Sequence, residues 1–242
     1  MNVLNKLKDE YQNIDFFKND IPNLINKDYL SGDNEKYMKM YNWLSRSYDF
    51  IETFGGKLRY GNQVNQMRQE IISKLEWKDN ASVLNVSIGT GKDLEYIPKN
   101  INKLSLTMWG IDISMGMLRK CKKKFNQKMN LSLLNCCAED LPFKDNSFDI
   151  VFHVGGINFF HDKQKAINEM LRVAKEDTKL LIADETNDFI EKQYKKNRFT
   201  KKYFNDKTFD LSEIEKLIPL SCKERNLDIL WGGRFYCLTF RK

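Results

Sequence analysis

The sequence lacks the features of several protein classes. No apolar run among its 242 residues approaches the length of a membrane span, and residues 1–20 contain no apolar core of a signal peptide. The five cysteines are odd in number and irregularly spaced, which argues against a disulfide framework and favours a reducing cytoplasm. No histidine–cysteine group has zinc spacing, so we expect no metal site. Internal repeats and low-complexity segments are also missing.

The composition is that of a basic globular protein. Hydrophobic residues make up 41% and charged residues 30% of the chain, which excludes a disordered polymer. Lysine and arginine number 40 against 33 acidic residues, for a formal charge of +7. The densest positive run, residues 119–124, falls within a predicted helix whose apolar positions include Met115, Leu118 and Phe125. No aromatic residues alternate with it, so we interpret it as a solvated helix face, with a nucleic-acid footprint as the alternative.

The stretch from residue 83 to residue 93 organises the chain. The run from Val83 to Ile88 predicts a buried strand, and a helical pattern follows Asp93. Between them, Gly89 and Gly91 let the backbone turn sharply and approach a ligand, although a plain strand–helix turn has the same pattern. A second apolar strand then ends on Asp112, 21 residues after Gly91. An acid at that position can accept hydrogen bonds from both ribose hydroxyls of a nucleoside.

Strand and helix patterns alternate from Val83 onward. Five apolar runs predict strands, at 83–88, 106–111, 131–135, 148–152 and 179–183. This alternation predicts an α/β fold with a doubly wound, mostly parallel sheet and helices on both faces. Two strand-like runs around Gly232-Gly233 predict a C-terminal antiparallel hairpin, which makes seven strands. Helical periodicity in residues 3–17 and 35–53 predicts an N-terminal helical cap over residues 1–80, with the core at 81–242.

These residues together resemble the class I S-adenosylmethionine-dependent methyltransferases, and among them the branch that contains the ubiquinone and menaquinone C-methyltransferases. The resemblance runs from about Tyr37 to Glu185 and returns at the final hairpin. Four stretches carry it: residues 83–91 resemble the first motif, 110–114 the ribose-binding strand end, 138–149 the adenine loop and fourth strand, and Tyr41-Asn42 with Tyr48-Asp49 the paired segment of the lid.

The resemblance implies a Rossmann-like fold, S-adenosyl-L-methionine as cofactor and methyl transfer to a small molecule. Asn85, Ser87 and Cys137 depart from the family pattern, which usually has an acid, a glycine and often an aspartate there. Asn85 offers no charge to the cofactor's ammonium group, and a thiol is a poor acceptor for the adenine amino group. The implied cofactor contacts are Tyr41, Tyr48, Asn85, Ser87, Gly89, Gly91, Asp112, Ile113, Met117, Cys137, Ala138, Glu139 and His153.

Methyl transfer from a sulfonium requires an acceptor held in line and water excluded, and only an acceptor that begins protonated requires a general base. Sites in open α/β sheets lie beyond the carboxyl ends of the strands, which places residues 152–162 beside the methyl group. Both histidines of the chain fall there. We assign His161 a catalytic role on the substrate side and His153 a catalytic or cofactor contact, with structural roles as the alternative.

Other side chains have two interpretations. Asp184 and Glu185 either orient the substrate or cap a helix, and adjacent Cys136 and Cys137 are better explained by core packing than by soft-metal chemistry. Aromatic side chains are either pocket or core residues: Tyr41, Tyr48, Trp43, Phe159 and Phe160. We expect residues 35–60 to form a lid that closes over the cofactor and selects the substrate.

We expect a cytoplasmic enzyme, monomeric or homodimeric, with a small-molecule methyl acceptor and no nucleic-acid partner. Two alternatives remain: a cofactor-binding protein with little or no turnover, and an RNA methyltransferase that uses the basic helix face. A nicotinamide dehydrogenase is disfavoured because Leu94 stands where a third glycine is expected and the chain has no second mononucleotide-binding half.

Overall fold

The computed structural model describes residues 3–14, 21–30, 32–45, 60–193 and 211–242. The predicted lid segment is therefore described only up to residue 45 and at residue 60, and Tyr48 lies outside the described residues. The helices are α1 (Gly32–Leu44), α2 (Gln63–Ser73), α3 (Met115–Phe125), α4 (Lys163–Val173), α5 (Asn187–Gln193) and α6 (Leu211–Lys216).

Seven strands of the described chain form one mixed sheet. Their order is β3-β2-β1-β4-β5-β7-β6. The first five are parallel, and β7 lies antiparallel between β5 and β6. The predicted Rossmann-like fold with a C-terminal antiparallel hairpin is confirmed. The strands are β1 (Ser82–Val86), β2 (Thr107–Asp112), β3 (Leu131–Asn135), β4 (Ile150–Val154), β5 (Lys179–Glu185), β6 (Lys223–Leu230) and β7 (Phe235–Arg241).

Both faces of the sheet are covered, which explains why the strands read as continuous apolar runs. All five residues of β1 are buried. Leu84 and Val86 pack into the apolar layer under α4, whereas Val83 packs into the layer under α3. Helices α3 and α4 each turn an apolar stripe to the sheet, and α3 leaves Arg119 and Lys123 exposed. The basic run therefore lies on a helix flanking the sheet.

The stretch before α1 differs from the prediction. Residues 3–11 form two short 3-10 turns rather than a helix, separated by a bridge between Leu7 and Phe143. The backbone N–H of Lys8 donates to the carbonyl of Pro142 at 3.0 Å, and the N–H of Lys144 donates to the carbonyl of Lys6 at 2.8 Å. Because these groups bond to a distant loop, they cannot form the bonds of a helix. The helical prediction is therefore wrong for residues 3–11.

Other predicted boundaries moved by a few residues. The short helix after Asp93 is a 3-10 turn, Lys92–Tyr96, and β4 begins at Ile150 instead of Phe148. Within the described ranges, no helix is long and apolar enough to cross a membrane. Those ranges also contain no cluster of three or more His, Cys, Asp or Glu side chains suited to a metal ion.

Candidate active site

The carboxyl ends of β1, β2, β4 and β5 open into a cavity of about 380 Å³. Helix α1 forms one wall with Tyr37, Met40, Tyr41 and Leu44. The opposite wall consists of strand-end residues: Ser87, Ile88, Gly89, Thr90, Asp112, Ile113, Val154, Gly155, Gly156, Asp184 and Glu185. The cavity therefore lies where open α/β sheets place their ligands.

The two glycines of the turn after β1 have different structural roles. Gly89 has a φ of +56°, and a Cβ built on it would meet no protein atom within 4 Å, so that space belongs to the cavity. Gly91 has a φ of +77°, and its Cβ would lie 2.6 Å from Cε2 of Phe125 and 2.8 Å from Sγ of Cys121. Gly91 thus permits contact with α3. Ser87 carries a Cβ at a φ of +58°, which costs about 1–2 kcal/mol.

Asp112 ties the glycine turn to the end of β2. Its Oδ2 accepts from the backbone N–H of Gly89 at 2.9 Å, and its Oδ1 accepts from the N–H of Ser114 at 2.8 Å. Burial raises the pKa of the Asp112 carboxyl to about 6. The two hydrogen bonds from backbone N–H groups lower this pKa, but their effect is smaller than that of burial. Two carboxylate oxygens offer about four lone-pair sites, so Asp112 keeps acceptor capacity for a ligand in the cavity it lines.

Helix α1 is fastened to the start of α3 by Asn42. Its Oδ1 accepts from Oγ of Ser114 at 2.7 Å and from the N–H of Gly116 at 3.0 Å. Ser114 Oγ in turn accepts from the N–H of Met117 at 3.3 Å and so caps α3. A Cβ at Gly116 would lie 2.6 Å from Oγ of Ser45, so the two helices touch there. The described part of the predicted lid is thus joined to the end of the cavity that contains Asp112.

Glu139 joins the other end of α1 to the loop after β4. Its Oε1 accepts from Nδ2 of Asn34 at 2.9 Å and from the N–H of Asp162 at 3.3 Å. Oδ1 of Asn34 accepts from the N–H of His161 at 3.1 Å. Glu139 is only 2% exposed and does not line the cavity. The structure therefore gives this side chain a connecting role between α1 and the strand-end loop.

The two histidines lie outside the lining of the cavity. His153 is fully buried in β4, with Nδ1 3.0 Å from the carbonyl of Val86, and burial lowers its pKa to about 4. A Cβ at Gly156, which lines the cavity, would lie 3.9 Å from Cε1 of His153. His161 is exposed, and its ring lies beside Gly32 at the start of α1. The cavity geometry supports neither predicted catalytic role.

Asp184 at the end of β5 lines the cavity and is 1% exposed. Its Oδ2 accepts from the N–H of Asn158 at 3.0 Å, and its Oδ1 accepts from the N–H of Glu185 at 2.8 Å. Burial raises the pKa of Asp184 to about 6. These bonds fix the 3-10 turn that contains Phe159, whose ring packs on Tyr37 with centroids 4.5 Å apart. Asp184 therefore positions an aromatic wall of the cavity.

Comparison with known proteins agrees with this geometry. Residues 84–182 match the methyltransferase domain family. This part of the chain is similar to that domain. The ubiquinone/menaquinone biosynthesis C-methyltransferase of Geotalea daltonii is 29% identical over 161 residues, which cover 64% of this chain and 65% of that protein. The demethylmenaquinone methyltransferase of Renibacterium salmoninarum is 32% identical over 123 residues, covering 50% and 48%. The chain spans less than two thirds of the length of these curated relatives.

Solved structures share the fold of the methyltransferase domain. A SAM-dependent methyltransferase from Aquifex aeolicus superimposes with a TM-score of 0.59 at 18% identity, covering 77% of this chain and 95% of that one. The [4+2]-cyclase SpnF gives a TM-score of 0.67 at 14% identity, covering 92% and 98%. The family match and the curated relatives bear out the resemblance to the class I S-adenosylmethionine-dependent methyltransferases, and the solved structures bear out the fold.

The structure brings only part of the predicted contact set to the cavity of the domain. Asn85 is buried within β1, and burial raises the pKa of the Cys137 thiol to about 12, so that it stays protonated. Trp43 is 73% exposed and lies outside the lining. The lining residues are Tyr41, Ser87, Gly89, Asp112, Ile113 and Met117, and the residues outside it are Asn85, Gly91, Cys137, Ala138, Glu139 and His153.

Sequence reasoning missed two groups in the wall of the domain's cavity. Arg68 of α2 forms an ion pair with Asp93 at 2.5 Å, and both residues are largely buried. Tyr60, Phe189 and Trp231 form an aromatic cluster at the far end from Asp112. The only signal for this cluster in the sequence is the position of Trp231, directly before Gly232-Gly233.

Proposed function

We propose that the protein is an S-adenosylmethionine-dependent methyltransferase that acts on a small-molecule acceptor by in-line methyl transfer. The observation that supports this proposal most directly is a single cavity whose two ends have different chemical character. Asp112 and Gly89 provide a nucleoside-binding end, and an aromatic group including Phe159, Phe189 and Trp231 lines the rest. An enclosed, largely apolar cavity with a few polar groups is typical of small-molecule sites.

The described residues fit the cofactor. Asp112 keeps acceptor capacity for two hydroxyls, and the open space over Gly89 lets a ligand approach the backbone. Apolar side chains of the wall suit a flat base and exclude water: Met40, Leu44, Ile88, Ile113 and Met117. When bound, S-adenosylmethionine supplies a methyl group already activated by its sulfonium, so the protein's task is to position the acceptor.

The acceptor chemistry that this cavity favours does not depend on a histidine base. Neither His153 nor His161 lines the cavity, and His153 is neutral at physiological pH because its pKa is lowered to about 4. Asp184 is a titratable group in the lining, with a pKa raised to about 6, but it already accepts two backbone bonds. We infer that the wall positions and desolvates the acceptor, with Asp184 as the only one of these three groups in reach of it.

Two other functions stay open to test: cofactor binding without turnover, and methylation of RNA through the basic helix face. A protein that binds the cofactor without turnover is favoured by Asn85 and Ser87, where the family usually has an acid and a glycine. The names of the curated relatives make demethylmenaquinone the first acceptor to assay.

Transfer of radiolabelled methyl groups tests the proposal. The protein would be incubated with labelled S-adenosylmethionine and, in separate reactions, with a small-molecule extract, with demethylmenaquinone and with total RNA. We expect label in the small-molecule fraction. Label in RNA would favour the basic helix face as a functional surface. Tight binding of S-adenosylhomocysteine without any labelled product would favour the binding protein, and no binding would reject the proposed cofactor.

A further inference from the structure

A second cavity, of about 580 Å³, lies beside the first. Tyr60 and Phe189 line both cavities, so the two share a wall. The second cavity is the more polar of the two. Its other lining residues are Gln63, Asp188, Lys192, Gly232, Gly233 and Arg234.

The shared wall is an aromatic cluster. The rings of Tyr60 and Trp231 meet edge to face with centroids 4.8 Å apart, and those of Phe189 and Trp231 are 5.2 Å apart. Nε1 of Trp231 donates to Oε1 of Gln63 at 3.2 Å, which fixes the indole against α2. Aromatic side chains arranged in this way offer flat apolar surface together with polar edges. They therefore suit a planar ligand that lies against this shared wall.

Backbone strain occurs at the same place. Trp231 has a φ of +52°, and Gly232 and Gly233 follow with φ values of +61° and +85°. A left-handed conformation is natural for glycine but rare for a bulky residue, and such strain concentrates at binding sites. Thr186 holds the turn, donating from its N–H to the carbonyl of Arg234 at 3.0 Å and from Oγ1 to the carbonyl of Gly233 at 2.7 Å. The fold thus maintains an unfavourable conformation that puts Trp231 in the wall.

Arg234 supplies the charge of this region. Its guanidinium lies 5.8 Å from the ring centroid of Tyr60 and 5.7 Å from that of Trp231, and Nη1 donates to the carbonyl of Trp231 at 3.0 Å. Within the described part of the chain it forms no ion pair, unlike Arg172 and Arg241, which pair with carboxylates. The other charged residues of the cavity, Asp188 and Lys192, lie 3.4 Å apart and neutralise each other.

We propose that the second cavity receives an anionic group of the methyl acceptor, a carboxylate or a phosphate, with Arg234 as the anion-binding residue. The inference rests on the proposed function and adds the class of acceptor: a planar molecule that carries a negative charge. Its flat body lies against the aromatic cluster, and its charge meets the planar guanidinium, which matches the geometry of carboxylate and phosphate oxygens. The hydrogen bond to the carbonyl of Trp231 and the cation–π contacts with the two rings hold the guanidinium at this wall before the ligand arrives.

Calorimetry with three matched probes tests this proposal. The probes are 2-naphthoate, 2-naphthyl phosphate and the neutral 2-naphthamide, each titrated with and without saturating S-adenosylhomocysteine. We expect the wild-type protein to prefer at least one anion over the amide. Arg234→Gln should weaken that anion about 10- to 100-fold and leave the amide unchanged, as for the loss of a charge-assisted hydrogen bond. The comparison between the two anions identifies the preferred group.

Two further variants separate charge from folding. Arg119→Gln removes the same charge from the exposed face of α3 and should leave all three affinities unchanged. Arg234→Lys keeps the charge without the planar fork and should fall between wild type and Arg234→Gln. Equal binding of anions and amide by the wild-type protein, or an unchanged anion affinity in Arg234→Gln, would overturn the proposal. Failure of S-adenosylhomocysteine to bind would reject the proposed function instead, since the anion preference is also measured in its absence.

Discussion

Cofactor affinity should depend on the ionisation of Asp112. Its carboxylate accepts from two backbone N–H groups and keeps acceptor capacity toward the cavity, and its pKa is raised to about 6 by burial. Protonation turns one carboxylate oxygen into a donor, so the carboxyl binds hydroxyl groups less well. Below the pKa, the charged fraction falls about tenfold per pH unit. Affinity for S-adenosylhomocysteine should therefore decline as the pH falls through about 6.

The substitution Asp112→Asn removes the charge permanently. It keeps one oxygen, but its NH₂ group must then face the N–H of Gly89 or of Ser114, where an acceptor stood. The loss of charge-assisted bonds to two hydroxyls should weaken binding by about 2–3 kcal/mol, which is roughly 30- to 150-fold near neutral pH. The variant should also lose the pH dependence, because an amide does not titrate.

Isothermal titration calorimetry between about pH 5 and pH 7.5 measures both effects, with thermal unfolding to show that the variants fold. Asp184→Asn is the matched control, since Asp184 is also buried in the lining with a pKa raised to about 6. It should retain the wild-type pH profile. The same affinity in wild type and Asp112→Asn, or the same pH profile, would refute the ribose-binding role of Asp112.

The remaining predictions concern stability and the glycine turn. Ser87→Gly should raise the melting temperature by roughly 2–4 °C, because it relieves a φ of +58° that costs about 1 kcal/mol; an unchanged or lower value would contradict this. Gly91→Ala should destabilise by more than about 2 kcal/mol in denaturant unfolding, since its Cβ would lie 2.6 Å from Phe125, whereas Gly89→Ala should mainly weaken cofactor binding. The His153 pKa, lowered from 6.5 to about 4, gives stability that is full above pH 6.5 and is lost as the pH falls through about 4. As the pH falls over that range, the free energy of unfolding should therefore decrease by up to about 3 kcal/mol less in His153→Leu than in the wild-type protein. An equal decrease in both proteins would contradict this prediction.

The sheet could be predicted because each of its strands is marked by a pattern of neighbouring residues in the sequence. The central parallel strands β1 and β4 are buried on both faces, so each appears as a short apolar run bounded by turn residues. Gly232-Gly233 marked the hairpin in the same way. The N-terminal stretch was not predictable, although the spacing of Val3, Leu7 and Tyr11 is helical. Its backbone bonds to residues 142 and 144, far along the chain, and periodicity contains no information about such contacts.

The candidate site also contains some residues that have a local sequence signature and others that are placed by contacts between distant parts of the chain. Asp112 and Gly89 could be found because strand ends and glycine turns have sequence signatures. The contact of Asn42 with Ser114, and the role of Glu139 in joining α1 to the strand-end loop, connect residues far apart in sequence. His161 was assigned to the site because it follows β4 closely. The 3-10 turn at residues 157–159 instead leaves it exposed beside α1, which sequence proximity could not show.

A crystal structure with S-adenosylhomocysteine would test the central claim most directly. We predict that the ligand lies in the cavity between α1 and the strand ends, with its ribose hydroxyls bonded to Asp112 and its sulfur directed toward the aromatic end that includes Phe159 and Trp231. Density for the ligand elsewhere, or a ribose that does not contact Asp112, would contradict the assignment of this cavity as the site of methyl transfer.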